Sequence, residues 1–241
     1  MTSQVTFVPR NYDDLVTGVA ACPHIGGLLV LRNRGADLLL KAGWLIGCGA
    51  WRTGMTLLAN MGPASRRRRF AAYTASHKPV WELDTINDAV AVDLVVSNEF
   101  DLILNARTRS IYKDAILKAP PLGCLNIHHG LLPEQRGTMC DLWALSENRP
   151  AGFSIHAMTA AIDAGGMLAR VTVSAGHDKH YPHYLRRACD LEAETVADVL
   201  QAIETTGQPA LQPNVPPANL VMRRNPDRSQ LRRMIRDGMR V

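Results

Sequence analysis

The chain has 241 residues, 46% of them apolar and 20% charged, enough to bury one large core and too few for two full domains. Its start, MTSQVTFVPRNYDD, lacks the basic head, long apolar stretch and cleavage site of a secretory leader, so a cytoplasmic setting is expected, with the five cysteines reduced. The net charge of +5 admits an anionic partner, but it gathers in two runs, Arg66 to Arg69 and Arg223 to Arg240, that a solvated basic surface explains more simply.

VTFVP reads as a first strand, with a helix from about Asn11 to Cys22 and a second buried strand at IGGLLVL. Residues 36–61 are apolar and helix-compatible, although Gly43, Gly47, Gly49 and Gly54 argue against one uninterrupted helix. Lys41 and Arg52 interrupt the run well short of the roughly 20 apolar residues that a membrane span requires. A buried crossover helix, or one at a subunit contact, is expected there. Gly47-x-Gly49 is followed by glycine only at Gly54, so it misses the dinucleotide fingerprint.

After a basic turn at RRRRF, KPVWELD reads as a strand, Thr85 to about Phe100 as a helix, and DLILNA as another strand. A short helix over Lys113 to Lys118 ends before Pro120, and CLNIHHG follows as a strand with its exit. GFSIHAM and MLARVTV are strand-like, with the loop TAAIDAGG between them, and Tyr184 to Thr206 has helical amphipathic spacing. The prolines beyond Gly207 read as a linker or surface meander, followed by a short basic helix. Strands alternating with helices imply an α/β, Rossmann-like, mostly parallel sheet.

LNIHHGLLPEQRG carries the most chemistry. Alternation along a strand puts Asn126 and His128 on one face and Leu125 and Ile127 on the other. Gly130 allows a tight turn beyond them, and Pro133 stops a central strand from continuing. A carboxamide and an imidazole thus emerge together at the C-terminal end of a strand, where open α/β sheets place their ligands. Taken singly, either residue is more simply a cap or a hydrogen-bonded core group. His177, His180 and His183 have metal-compatible residue types, but Pro182 interrupts them and a solvated loop is the simpler reading, so no metal is expected.

Asn-x-His, then Leu-Leu-Pro and Arg-Gly, then Ile-Asp-x-Gly, resembles the folate-dependent formyltransferase family. The resemblance runs from DLILNA through GMLARVTV and implies the formyltransferase fold, with residues 1–206 as catalytic domain and 207–241 as proline-rich linker and short basic tail. It implies Asn126, His128 and Asp163 as the catalytic residues. It further implies a 10-formyltetrahydrofolate donor held by Thr108, Arg109, Ser110, Ile111 and Tyr112 on one side and Met158, Ala160 and Ile162 on the other. His129, Gly130 and Arg136 would face the acceptor, although His129-Gly130 stands where the family often has Pro-Ser, and Arg136 could equally pin its loop.

The activity so implied is transfer of a formyl group to the amine of a small acceptor, with a nucleotide-linked amino sugar as first choice. Formyltetrahydrofolate hydrolysis is the near alternative. A catalytically silent module binding nucleic acid through the basic runs is the distant one. The 35 residues after Thr206 are too few for a separate RNA-binding domain, so tRNA is not expected as a partner. A homo-oligomer is compatible with the sequence.

Overall fold

Seven short runs of apolar residues pair into one sheet in this computed structural model, which describes residues 5–9, 13–32, 35–61, 63–106, 108 and 110–241. The strands are β1 (Val5–Pro9), β2 (Ile25–Leu31), β3 (Val80–Leu83), β4 (Leu102–Ala106), β5 (Cys124–His128), β6 (Ala151–Ala157) and β7 (Met167–Ser174). Their spatial order is β3-β2-β1-β4-β5-β6-β7, with β1 to β5 parallel and β6 and β7 joined antiparallel. The expected mostly parallel α/β sheet is the observed one.

Strand alternation divides the core. Leu28, Leu102, Leu104, Leu125 and Ile127 face α1 (Asp13–Gly18) and α8 (Tyr181–Thr206), whose Leu15, Val16, Val196, Leu200 and Ile203, with Val19 just past α1, cover that side. Leu29, Ile103 and Cys124 face the other way, onto Val95 of α5 (Ala89–Ser97) and Ile116 of α6 (Asp114–Leu117). Near-continuous apolar strands are the signature of a sheet covered on both faces.

Several boundaries differ from the sequence reading. The apolar stretch is two helices, α2 (Gly35–Gly47) and α3 (Trp51–Met61). Gly49 takes φ 95° between them, and Ala50 N–H returns to Leu45 O at 2.9 Å, a left-handed glycine stop. The basic run is no turn: Arg66 to Arg69 lie within α4 (Pro63–Ala75). α5 starts later than Thr85 because Asp88 caps it, accepting from Ala91 N–H at 2.8 Å. α8 starts earlier than Tyr184: His180 caps it, Pro182 occupies its first turn, and the His180 and His183 rings stack at 3.7 Å. The expected helix start at Asn11 lies outside the described residues.

Residues 207–241, read as linker and tail, are tied into the fold. Gln212 and Met167 exchange two backbone hydrogen bonds, Arg223 pairs with Arg136 and Thr138, and Arg240 pairs with Lys179 and Tyr181. Leu231 and Met234 of α9 (Arg228–Arg236), with Met239 and Val241, pack against α7 (Cys140–Ser146) and the start of α8 in a further apolar cluster. No described helix is long and apolar enough to cross a membrane.

Candidate active site

Asn126 and His128 end β5 on the same face, and register with the neighbouring strands builds a polar row around them. Asn105 on β4 lies beside Asn126, which lies opposite His156 on β6. Asn105 Nδ2 donates to Asn126 Oδ1 at 2.9 Å, and Asn126 Nδ2 lies 3.1 Å from His156 Nε2. His156 Nδ1 is 2.9 Å from the Ala157 carbonyl, which can only accept, so Nδ1 carries the hydrogen and Nε2 accepts from Asn126. Burial holds His156 below the usual imidazole range, which keeps it in that neutral form. One Asn126 amide hydrogen is thereby committed and its second is left to point elsewhere.

His128 is oriented by the same logic. Its Nε2 lies 2.7 Å from the Gln135 carbonyl oxygen, so Nε2 carries a hydrogen in either protonation state. Proton exchange is therefore confined to Nδ1, which faces Asp163 Oδ1 at 3.5 Å. Both side chains are more than nine-tenths buried. Gln135 is itself fixed: its side chain accepts from Leu131 N–H at 3.0 Å and donates to Pro150 O at 2.8 Å. Gly130 is required because a Cβ there would come 2.6 Å from His128 Nε2. It shapes the turn just beyond His128.

Asp163 arrives from the loop between β6 and β7, in a left-handed conformation with φ 53°. Its Oδ1 is also 3.7 Å from His156 Nε2, and its Oδ2 accepts from Gly137 N–H at 3.3 Å. The loop is held by the C-terminal segment: Asn214 Nδ2 donates to Asp163 O and Gly165 O at 2.9 and 2.8 Å. Arg136 Nη2 donates to both Asn214 O and Asn214 Oδ1 at 3.0 Å. Arg136 is 7% exposed; these Nη2 bonds pin the loop, while its buried Nε finds no partner among the described residues.

His129 leaves β5 on the opposite side. Its Nδ1 lies 2.8 Å from Asp141 Oδ2 and its Nε2 2.6 Å from Glu192 Oε1, while Tyr181 OH donates to Asp141 at 3.1 Å. Each ring nitrogen thus meets a buried carboxyl group, giving those costly buried groups a hydrogen-bonding partner. That is a structural position behind the site, in place of the acceptor contact expected for it.

The two segments expected to hold a folate converge. Tyr112 is buried in the cluster that Met158 packs against, and Met158 N–H donates to Cys124 O at 2.7 Å. Thr108 N–H donates to Asn105 Oδ1 at 3.0 Å, linking this turn to the polar row. Burial holds the Tyr112 phenol well above its ordinary range, so it stays neutral. Ile111 and Ile162 expose most of their apolar side chains, as does the loop around Ala160. The backbone N–H groups of Ser110, Tyr112 and Ala160 find no acceptor among the described residues. Arg109, with Arg107, lies outside the described residues.

Asn105, Gln135, His156 and Asn214 escaped the sequence reading. Asn105 and His156 carried a signal, each a polar residue near the end of an apolar strand; Gln135 and Asn214 carried none. All five cysteines are unpaired and four are buried. Burial pushes Cys124 up to about 12 and Cys140, beside Gly130, higher still, so neither is a thiolate nucleophile.

A family model described as formyl transferase matches residues 51–200. The methionyl-tRNA formyltransferase of Halalkalibacterium halodurans is 35% identical over 103 residues, 42% of this chain and 32% of that protein. The chain thus spans about a third of the length of the curated relatives it matches first. These relatives count against the expectation that excluded tRNA. Among solved structures, a sugar N-formyltransferase from Shewanella sp. superposes with TM-score 0.64 at 15% identity, covering 98% of this chain and 88% of that one. The formyltransferase PseJ from Anoxybacillus kamchatkensis, solved with a UDP-linked 4-formamido sugar and tetrahydrofolate, superposes with TM-score 0.51 at 14% identity, covering 92% and 86%. With the matched segment containing β4, β5, β6, β7 and every residue of the polar row, the chain belongs to the formyl transferase family.

Proposed function

We propose that the chain transfers a formyl group from 10-formyltetrahydrofolate to the amine of a small acceptor, with Asn126, His128 and Asp163 at the reacting centre. The observation that carries this reading is the His128 ring, pinned at Nε2 by the Gln135 carbonyl with Nδ1 turned to Asp163 Oδ1 at 3.5 Å, beside an Asn126 amide with one hydrogen uncommitted. The donor supplies an electrophilic formyl carbon. The unbonded N–H groups of Ser110, Tyr112 and Ala160 and the apolar walls at Tyr112 and Met158 fit a flat heterocycle with polar edges.

Attack of the amine on the formyl carbon makes an oxyanion and a nitrogen carrying a surplus proton. The free Asn126 amide hydrogen stabilises the oxyanion, a contribution of about 3 kcal/mol for one preorganised donor. His128 Nδ1 takes the surplus proton and returns it to the departing folate nitrogen, an exchange of about 10²- to 10⁴-fold in rate. Asp163 stabilises the imidazolium formed between these steps. No covalent intermediate is needed.

A nucleotide-linked amino sugar is the first acceptor of this reading, supported by the sugar named in the solved PseJ complex. The test incubates the protein with 10-formyltetrahydrofolate and a panel of nucleotide-linked amino sugars, glycinamide ribonucleotide and methionyl-tRNA, measuring tetrahydrofolate and formylated amine together. Stoichiometric formamide with a sugar nucleotide is expected. Formate alone would replace transfer by hydrolysis, and formylated methionyl-tRNA would replace the small acceptor.

A further inference from the structure

α2 is apolar on two faces, with Lys41 half-buried between them. Leu38, Ala42, Leu45 and Cys48, spaced at helical period, are buried, as a helix on a protein surface requires. On the opposite face Leu39, Leu40, Gly43, Trp44, Ile46 and Gly47 are exposed, with Lys41 at their border. Gly54 of α3 packs on Ile46, and α3 adds the exposed Trp51 and Met55. The six large side chains on the two helices are 39% to 74% exposed. Together they leave on the order of 600 Å² of apolar surface, the upper end for a lone monomer.

We infer that this face is an interface between two copies of the chain, α2 packing on α2. The exposed area approaches the roughly 800 Å² that each partner contributes to a stable pair. The face is also complementary to itself. Gly43 and Gly47 lie one turn apart with nothing within 4 Å of a Cβ at either, so they form a hollow along the helix. Leu40 and Trp44 form a ridge beside it, and a two-fold axis seats the ridge of one copy in the hollow of the other. Among the described side chains the charges sit at the rim, Lys41 half-buried on a flank of α2 and Arg52 stacked over Trp51, the layout of an apolar interface core with a polar border. A lipid surface is the competing occupant, since Arg52 sets a cation over Trp51, but bilayer insertion gains from filled apolar volume and not from a glycine hollow.

Sedimentation velocity of the 241-residue chain at about 50 µM should give a dimer. Leu40→Glu should weaken it by about 30-fold, the effect of losing a central anchor. Gly43→Met keeps the face apolar and meets open space in the monomer, so it should weaken the dimer similarly while circular dichroism and the melting temperature hold. It decides the question if Leu40→Glu fails to fold. A monomeric wild type, or a dimer indifferent to Gly43→Met, overturns the inference. So does a monomer that floats with phosphatidylglycerol and phosphatidylcholine vesicles, which would assign the face to a lipid surface.

Discussion

Asn214 holds Asp163 from outside the segment matched by the family model: its side-chain amide donates to the Asp163 carbonyl at 2.9 Å. It also donates to Gly165 O, so two hydrogen bonds brace a loop whose aspartate has φ 53°, an uncommon conformation for a residue with a Cβ. The Asp163 carboxylate is aimed at His128 by a backbone that Asn214 keeps in place. Asn214→Ala is expected to lower kcat by about 10- to 100-fold, the cost of misplacing a catalytic group by about 1 Å. Folate affinity should change little, so the loss falls on kcat and not on the KM for folate. An unaltered kcat in a folded variant would reduce Asn214 to a scaffold residue.

His128→Ala should lower turnover by about 100-fold or more with the fold intact, because Nδ1 is the ring atom free to exchange a proton. Asn126→Ala should do comparable damage by removing the proposed oxyanion donor. Steady-state kinetics on variants with unchanged circular dichroism checks both. Near-normal activity in either removes that residue from the mechanism.

Folate binding should be visible without turnover. Saturating 5-formyltetrahydrofolate is expected to protect residues 110–112 and 158–163 from hydrogen exchange, since both border the cluster of Tyr112 and Met158. Protection at neither segment would reject the pocket.

Arg136→Gln should slow anionic and neutral acceptors alike, because Nη2 of the guanidinium is committed to Asn214 O and Asn214 Oδ1, which brace the Asp163 loop. The variant should also lose about 1 to 3 kcal/mol of stability, the range for a buried charge-assisted hydrogen-bonding group. Selective loss of the anionic acceptor would restore Arg136 to substrate recognition. Denaturant unfolding alongside an acceptor comparison separates the two.

His156 makes stability depend on pH. Burial lowers its folded value, while the unfolded chain titrates near 6.5, so between the two values the unfolded state binds the extra proton. The stabilisation is complete above about 6.5 and is lost as pH falls toward the depressed value. His128, Asp163 and Arg136 act on the ring as well, His128 and Arg136 opposing its charge and Asp163 favouring it. Urea midpoints should fall with pH in wild type, and more shallowly in His156→Gln. Parallel curves would assign the acid sensitivity elsewhere.

Local sequence was sufficient for the period-two alternation that puts Asn126 and His128 on one face of β5, and for the strand and helix alternation that builds a parallel sheet. Those properties depend on neighbours one to four residues apart, which backbone geometry fixes. The partners of these residues depend on register and closure over much longer separations. Asn105 and His156 reach Asn126 only because β4 and β6 flank β5 in the observed register. His129 neighbours His128 in sequence, yet Asp141 and Glu192 draw it behind the sheet, and Arg136 meets its partner Asn214 78 residues further on. Buried charges and polar groups must find partners wherever the fold supplies them, so tertiary packing decided which polar residues gather around Asn126 and His128 and which lie behind them.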